Sequence, residues 1–336
     1  MAIQGSGSQD DPFQITTVIE LMEKVQIEGA YLKIMNNMDL DASVGWTNVI
    51  WRCAEVDGTT AHGGCSVIRN IAVGAKSFII VGINMHILIK NINFENIQCS
   101  LTDRAQSFIY NENFNYGGSL QLENCGFHIT YTGPVGLPFT LIGYKKDGDN
   151  RLQVVATNCE FCIIDNTNSI SQNTCVLCSR VIGSSGGHNC LFQGCRFAFY
   201  LKESSNTVLQ LAYQDSGYWS RPHFHKCYFI GYTKSDKSYF TLFNDNAAGY
   251  AHCYVAIDTR KNDNSSIWNI TIAPSTSLDN KSYAKQIIID TSLLNQKAID
   301  SIPVAWETTN DIYGRPTNIL QNPDELYKLH WYATKE

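Results

Sequence analysis

Asn124-Cys125-Gly126-Phe127 and Asn158-Cys159-Glu160-Phe161 are two copies of one four-residue phrase. Further copies with a changed first letter stand at Gly194-Cys195-Arg196-Phe197 and Lys226-Cys227-Tyr228-Phe229. An earlier copy, Asn91-Ile92-Asn93-Phe94, carries Ile in the Cys slot. From Ile92 through Cys125, Cys159 and Cys195 to Cys227 the steps are 33, 34, 36 and 32 residues. A period so nearly constant marks a repeat architecture, in which each unit buries its apolar side only by stacking on the next.

Each phrase follows an alternating stretch, such as Leu120-Gln121-Leu122 or Leu152-Gln153-Val154. A second apolar stretch comes after it: Phe108-Ile109-Tyr110, Phe139-Thr140-Leu141-Ile142, Val176-Leu177, Val208-Leu209-Gln210-Leu211 or Phe240-Thr241-Leu242-Phe243. Short period-two runs bounded by Gly, Asn, Asp and Ser are the strand signal, and no segment between them has helical periodicity long enough for a βαβ crossover. The unit is strand, bend, strand, loop, and the fold class it predicts is all-β, a single-stranded parallel β-solenoid. Cys and Phe at alternate positions share a face. Two interior ladders are therefore expected, one of Ile92, Cys125, Cys159, Cys195 and Cys227, the other of Phe94, Phe127, Phe161, Phe197 and Phe229. Asn91, Asn124 and Asn158 fall at the bend, where Asn tolerates left-handed backbone and its amide can bond the Asn above and below. Cys253-Tyr254-Val255 reads as one further coil, 26 residues on.

Composition agrees with strands and turns. Of 336 residues 44% are hydrophobic and only 17% charged, with 24 Gly, 17 Tyr and 15 Phe. A net charge of -6 without a basic run gives no footing for nucleic acid. The first eleven residues lack the charged start and apolar core of an export signal, and the most apolar stretch, 77–89, contains Asn84 and His86 and is short for a membrane span. Twelve cysteines spread through a large chain are expected to be thiols made in a reducing compartment. The expected organisation is an N-terminal cap (1–45), the coil with protruding loops (46–275) and a non-repeat C-terminal cap (276–336). The first cap includes a short amphipathic helix over 16–25 begun by Thr17. The second contains Pro303, Pro316 and Pro323 and a helical turn at 324–329.

Gly5-Ser6-Gly7-Ser8, followed by Asp10-Asp11-Pro12-Phe13-Gln14-Ile15 and a short helix, resembles the opening of pectin-lyase-like right-handed parallel β-helix proteins. The repeated Asn-Cys-x-Phe after an alternating strand is similar to that superfamily too. Many of its members are bacteriophage virion or bacterial surface proteins. The stretch Leu320-Gln321-Asn322-Pro323-Asp324-Glu325-Leu326-Tyr327-Lys328-Leu329 is similar to a C-terminal phrase of phage tail and surface fibre proteins, though here it ends His330-Trp331-Tyr332. The resemblance implies a right-handed β-helix in a phage particle, and no reaction. The superfamily's uronate-cleaving enzymes use clustered Asp for Ca²⁺ plus an Arg base, and its hydrolases paired carboxylates; neither set matches here position by position. A fold shared with enzymes is not evidence of catalysis.

Protruding loops are where function concentrates. The richest is 212–225, whose Tyr213, Tyr218 and Trp219 rings stand beside Asp215, Arg221, His223 and His225, apolar faces with polar neighbours suited to a glycan or receptor. Packing over the flank or against another subunit is the plainer reading. Two His are too few to specify a metal. Cys159-Glu160-Phe161-Cys162 with Cys175-Val176-Leu177-Cys178 has zinc-ribbon spacing, but the ladder claims Cys159, so no metal is expected. Asp147-Gly148-Asp149 lacks the spaced oxygens of a cation loop, and Gly183-Ser184-Ser185-Gly186-Gly187-His188 opens no helix to cradle phosphate. Acid/base cleavage needs two carboxyls on one face, and the outward positions Glu123, Thr157 and Gly194 of successive coils assemble none.

The sequence thus points to a cofactor-free virion protein, made in the host cytoplasm, that contacts a host glycan or receptor without catalysis. The alternative is a tail-spike polysaccharide depolymerase with a site on the flank. Expected partners are two further copies in a homotrimer and other virion proteins, with neither nucleic acid nor membrane insertion.

Overall fold

The computed structural model describes residues 3–40, 45–46, 49–73, 77–100, 107–112, 117–132, 140–142, 151–165, 173–178, 189–201, 207–212, 223–225, 227–233, 239–241, 249–251, 253–258 and 284–289. These residues are mostly β, with one helix, α1 (Val18–Lys24). The strands form three sheets of nine, ten and seven members, called I, II and III here, in which every inter-strand pairing is parallel. The chain visits the sheets in rotation. One circuit runs Gly117–Glu123 in sheet I, Gly126–Tyr131 in sheet II and Thr140–Ile142 in sheet III; the next repeats this at Arg151–Thr157, Glu160–Asp165 and Asn173–Cys178.

Register follows the repeated phrase. Phe94 pairs with Phe127, Phe127 with Phe161, Phe161 with Phe197, and Phe197 with Phe229. The first four rings are buried and stacked 5.2 Å apart at each step, with interplanar angles of 18°, 5° and 10°. Equivalent positions one strand spacing apart, about 4.8 Å, leave identical rings little choice but an offset parallel stack. Ile92, Cys125, Cys159, Cys195 and Cys227 are buried beside them. Sulfur hydrogen bonds to backbone carbonyls hold the thiols: Cys125 to Ile89 at 3.4 Å, Cys195 to Ala156 at 3.2 Å and Cys227 to Phe192 at 3.3 Å. Burial pushes Cys125, Cys159 and Cys195 well above the ordinary thiol range. None of the nine cysteines whose side chains are described is in a disulfide.

The bend between sheets I and II explains the phrase's first letter. Asn91, Asn124 and Asn158 hold φ of 58°, 52° and 52°, and Gly194 takes the same place at 64°. Asn124 Nδ2 donates to Asn91 Oδ1 at 3.1 Å, and Asn91 Nδ2 to Thr59 Oγ1 at 2.6 Å. Toward the N-terminus the column changes character. Trp46, Trp51, Phe78 and Phe108 fill the core, with the Trp46 ring tilted at 47° and 4.9 Å from Phe78 and its Nε1 donating to the Phe78 carbonyl at 2.8 Å.

The opening motif forms a tight turn over the first coil. Ser6 N donates to the Asp11 carboxylate at 2.8 Å, Gly7 N to the Asp11 carbonyl at 2.9 Å, and Tyr31 N to the Gly7 carbonyl at 2.9 Å. Gly5 and Gly7 have φ of 90° and 82°, and a Cβ on either would collide with Pro12 or the Phe13 ring. Helix α1 is shorter than the expected 16–25, but it starts at Thr17 with a capping box closed by Glu20. Val18 and Leu21 are its buried residues. The sheets already begin at Phe13–Ile15, inside the segment read as a cap, and parallel pairing continues past residue 275 to Ala284–Ile289. Both extensions share one cause: a coil is closed by backbone pairing, which does not require the Cys/Phe phrase.

Candidate functional site

Side chains that point away from the core lie in rows running across the strands. On sheet I three rows can be followed. The first is His86, Ser119 and Gln153; the second Tyr31, Glu55, Leu88, Gln121, Val155 and Leu191; the third Gln14, Lys33, Asp57, Lys90, Glu123, Thr157 and Gln193; backbone register carries the three on to Asn189, His223 and His225. His86, Gln121, Gln153, Leu191 and Gln193 are exposed. The third row corrects the expected succession Glu123, Thr157, Gly194: the outward residue is Gln193, because Gly194 has been drawn into the bend.

At its N-terminal end this face is ionic and self-neutralising. Lys33 Nζ meets Asp57 at 2.9 Å, and Lys90 Nζ meets Glu55 at 2.8 Å and Asp57 at 3.9 Å. Burial alone would raise the Asp57 carboxyl, but hydrogen bonds from Thr59 and the Lys33 ion pair together hold it below the ordinary value. Further along, charge gives way to amides and hydroxyls. His86 Nδ1 lies 2.7 Å from Ser119 Oγ, and Gln121 Nε2 donates to Glu123 at 2.6 Å.

Sheet II is different. Its outward positions Glu160, Cys162 and Arg196 are buried, 4%, 2% and 3% exposed. Glu160 and Arg196 face each other across adjacent strands and form an ion pair. His128 pairs in register with Cys162, so an imidazole, a thiol, a carboxylate and a guanidinium occupy two neighbouring rows. Burial lowers the His128 pKa to about 3, while burial and then the Glu160 charge push the Cys162 thiol up. Both groups are therefore neutral near pH 7, the opposite of the thiolate–imidazolium state that activates a cysteine nucleophile. Cys159 and Cys162 serve opposite faces of their strand, so this half of the zinc-like spacing does not converge. Among the described residues no three His, Cys, Asp or Glu side chains gather as a metal site.

Of the expected ligand loop, Tyr213, Asp215, Tyr218, Trp219 and Arg221 lie outside the described residues; His223 and His225 fall on the sheet I strand His223–His225, in the second and third rows. Sequence reasoning missed the Glu160–Arg196 pair. Its signal was available in the third letter of the phrase, which places Glu in one copy and Arg in the next at equal register.

No family model matches the chain, and no curated protein sequence matches it. Among solved structures it is similar to the crystal structure of a candidate immunoglobulin A1 protease from Bacteroides ovatus, with a TM-score of 0.40 and 15% identity over 86% of this chain and 87% of that one.

Proposed function

We propose that the chain is a right-handed parallel β-helix of the pectin-lyase-like kind, serving as a host-contact component of a bacteriophage particle. The observation that carries this reading is the rotation through three parallel sheets with rings and thiols in register, which makes a stiff support with exposed side chains on the outer side of sheet I. The opening turn adds to it, since the Gly-Ser-Gly-Ser and Asp-Asp-Pro-Phe residues that carry the resemblance are tied to one another and to the first coil. In this reading the chain works as a homotrimer among other virion proteins, and its exposed side chains and loops meet a surface glycan without cleaving it.

Two measurements test it. Antibodies raised against the purified chain should decorate intact particles in electron micrographs; particles that carry no label and no peptide of the chain by mass spectrometry overturn the virion assignment. Purified protein incubated with host capsule or cell-wall glycans should bind them and release no new reducing ends. Turnover, seen as reducing ends or as unsaturated uronate absorbance, replaces the contact role with a depolymerase.

A further inference from the structure

Four buried thiols have no part in the host-contact reading, and they stand in register in the core. We propose that the column Cys125, Cys159, Cys195 and Cys227 is a metal site for soft monovalent cations, Cu(I) or Ag(I), taken one into each gap between neighbouring sulfurs.

Register sets the geometry. Gly126 pairs with Glu160, Glu160 with Arg196 and Arg196 with Tyr228, which brings the cysteine before each of them into line. The Cys125 carbonyl accepts Glu160 N at 2.8 Å and the Cys159 carbonyl accepts Arg196 N at 2.9 Å, so successive coils are pinned at the column itself. Thiol contacts link Cys125 to Cys159, Cys159 to Cys195 and Cys195 to Cys227. With coils about 4.8 Å apart, the midpoint between two eclipsed sulfurs lies about 2.4 Å from each, close to the ~2.3 Å of a metal–thiolate bond. A linear ion held there needs only two ligands, whereas the described residues nowhere gather three. Thiolates select soft ions such as Cu(I), and a tetrahedral Zn²⁺ finds too few sulfurs in one gap. Charge then fixes the valence. Burial makes a bare thiolate costly here, so filling must leave the column neutral. Each entering cation forms a bond to the sulfur on either side and displaces one thiol proton to solvent. Filling the gaps among these four thiols releases a proton per ion, leaves one thiol protonated and transfers no electron. The carbonyls of Ile89, Ala156 and Phe192 approach the sulfurs at 3.4, 3.2 and 3.3 Å, and their negative ends suit cations in the column.

The test loads the full reduced chain with silver nitrate in chloride-free, oxygen-free buffer, both by long incubation of the folded protein and by refolding from urea. Glutathione washes strip singly held ions, and elemental mass spectrometry counts those that remain. The parent should retain silver with two sulfur neighbours per ion by X-ray absorption, and its urea midpoint should rise on loading. Cys159→Ala and Cys195→Ala each break two gaps and should each retain two ions fewer. Cys65→Ala, at the partly exposed thiol, and Cys190→Ala, at a buried thiol in register with Val154, should retain as many as the parent. Metal-free urea midpoints of the Cys159 and Cys195 variants close to that of the parent separate loss of a ligand from loss of fold, and the sulfur count in the parent stands without any variant. No silver kept by either route, three or more sulfur neighbours per ion, or equal losses from Cys190→Ala and Cys159→Ala overturns the site. Each of those outcomes leaves the host-contact reading to particle labelling.

Discussion

Asn124 shows how much one side chain carries. It accepts a left-handed backbone at φ 52° and passes its amide to Asn91 in the coil before. Asn124→Ala keeps the strain and loses the hydrogen bond, so a loss of about 1–3 kcal/mol is expected in urea unfolding. At Gly194 a Cβ would stand 2.7 Å from Asn158 Oδ1, and Gly194→Ala should cost a comparable amount. The buried Glu160–Arg196 pair behaves differently. Arg196→Met strands a buried carboxylate and should cost about 3–5 kcal/mol, while the double variant Glu160→Gln with Arg196→Met should recover much of that loss. Denaturation of the parent and these two variants in parallel measures the difference. His128 supplies an acid-sensitive element. Its pKa is about 3 in the fold against about 6.5 unfolded, so the unfolded chain binds the extra proton between those values. Stability from this residue is complete above pH 6.5 and declines as pH falls toward 3. Urea midpoints followed over that range should fall less steeply for His128→Gln.

Helix α1 belongs to the scale of elements. Its Thr17-x-x-Glu20 capping box was readable from spacing alone, because a cap is a local device closed within one turn. Thr17→Ala should lower stability by about 1 kcal/mol, seen as a reduced melting temperature, with the coil otherwise intact. The strands were equally legible, since period-two alternation and a fixed bend are written into each copy of the phrase. The bulge in Ile92–Cys99 was not. There the pairing jumps between Phe94 and Ile97, and Asn96 at φ 52° donates its amide to Asn70 Oδ1 at 2.7 Å. Nothing in a single copy of the repeat announces an extra residue in its partner. The outward rows were only partly legible for the same reason: assigning Gly194 to a strand shifted the last member of one row by one place.

For the whole molecule, the repeat makes a strong demand on register. Removing residues 125–158 joins Asn124 to Cys159 and restores an intact Asn-Cys-Glu-Phe phrase, so the shortened chain should fold with one coil fewer and a urea slope reduced in proportion to the surface lost. Removing 125–157 instead leaves one residue too many at the bend and should abolish cooperative unfolding, because a one-residue slip turns each inward side chain outward. Circular dichroism melts of the two deletions compare the outcomes. Thiol labelling reports on the same stacking. Of the nine cysteines whose side chains are described Cys65 is partly exposed and the other eight are buried, so mass-spectrometric mapping of a brief alkylation should find Cys65 modified and those eight protected until denaturant is added.

The amino-acid sequence by itself determined the period, the inward columns of Cys and Phe, the left-handed bends at Asn and the helix that begins at Thr17, because each rests on short-range geometry repeated along the chain. Tertiary structure alone decided what lies between coils. It set Glu160 against Arg196, buried Glu160, Cys162 and Arg196 on the outward side of sheet II, left Gln121, Gln153, Leu191 and Gln193 of sheet I exposed, and brought His223 and His225 into register with Leu191 and Gln193. Those outcomes depend on residues tens of positions apart meeting at one strand spacing, and on how far each turn advances before it does so.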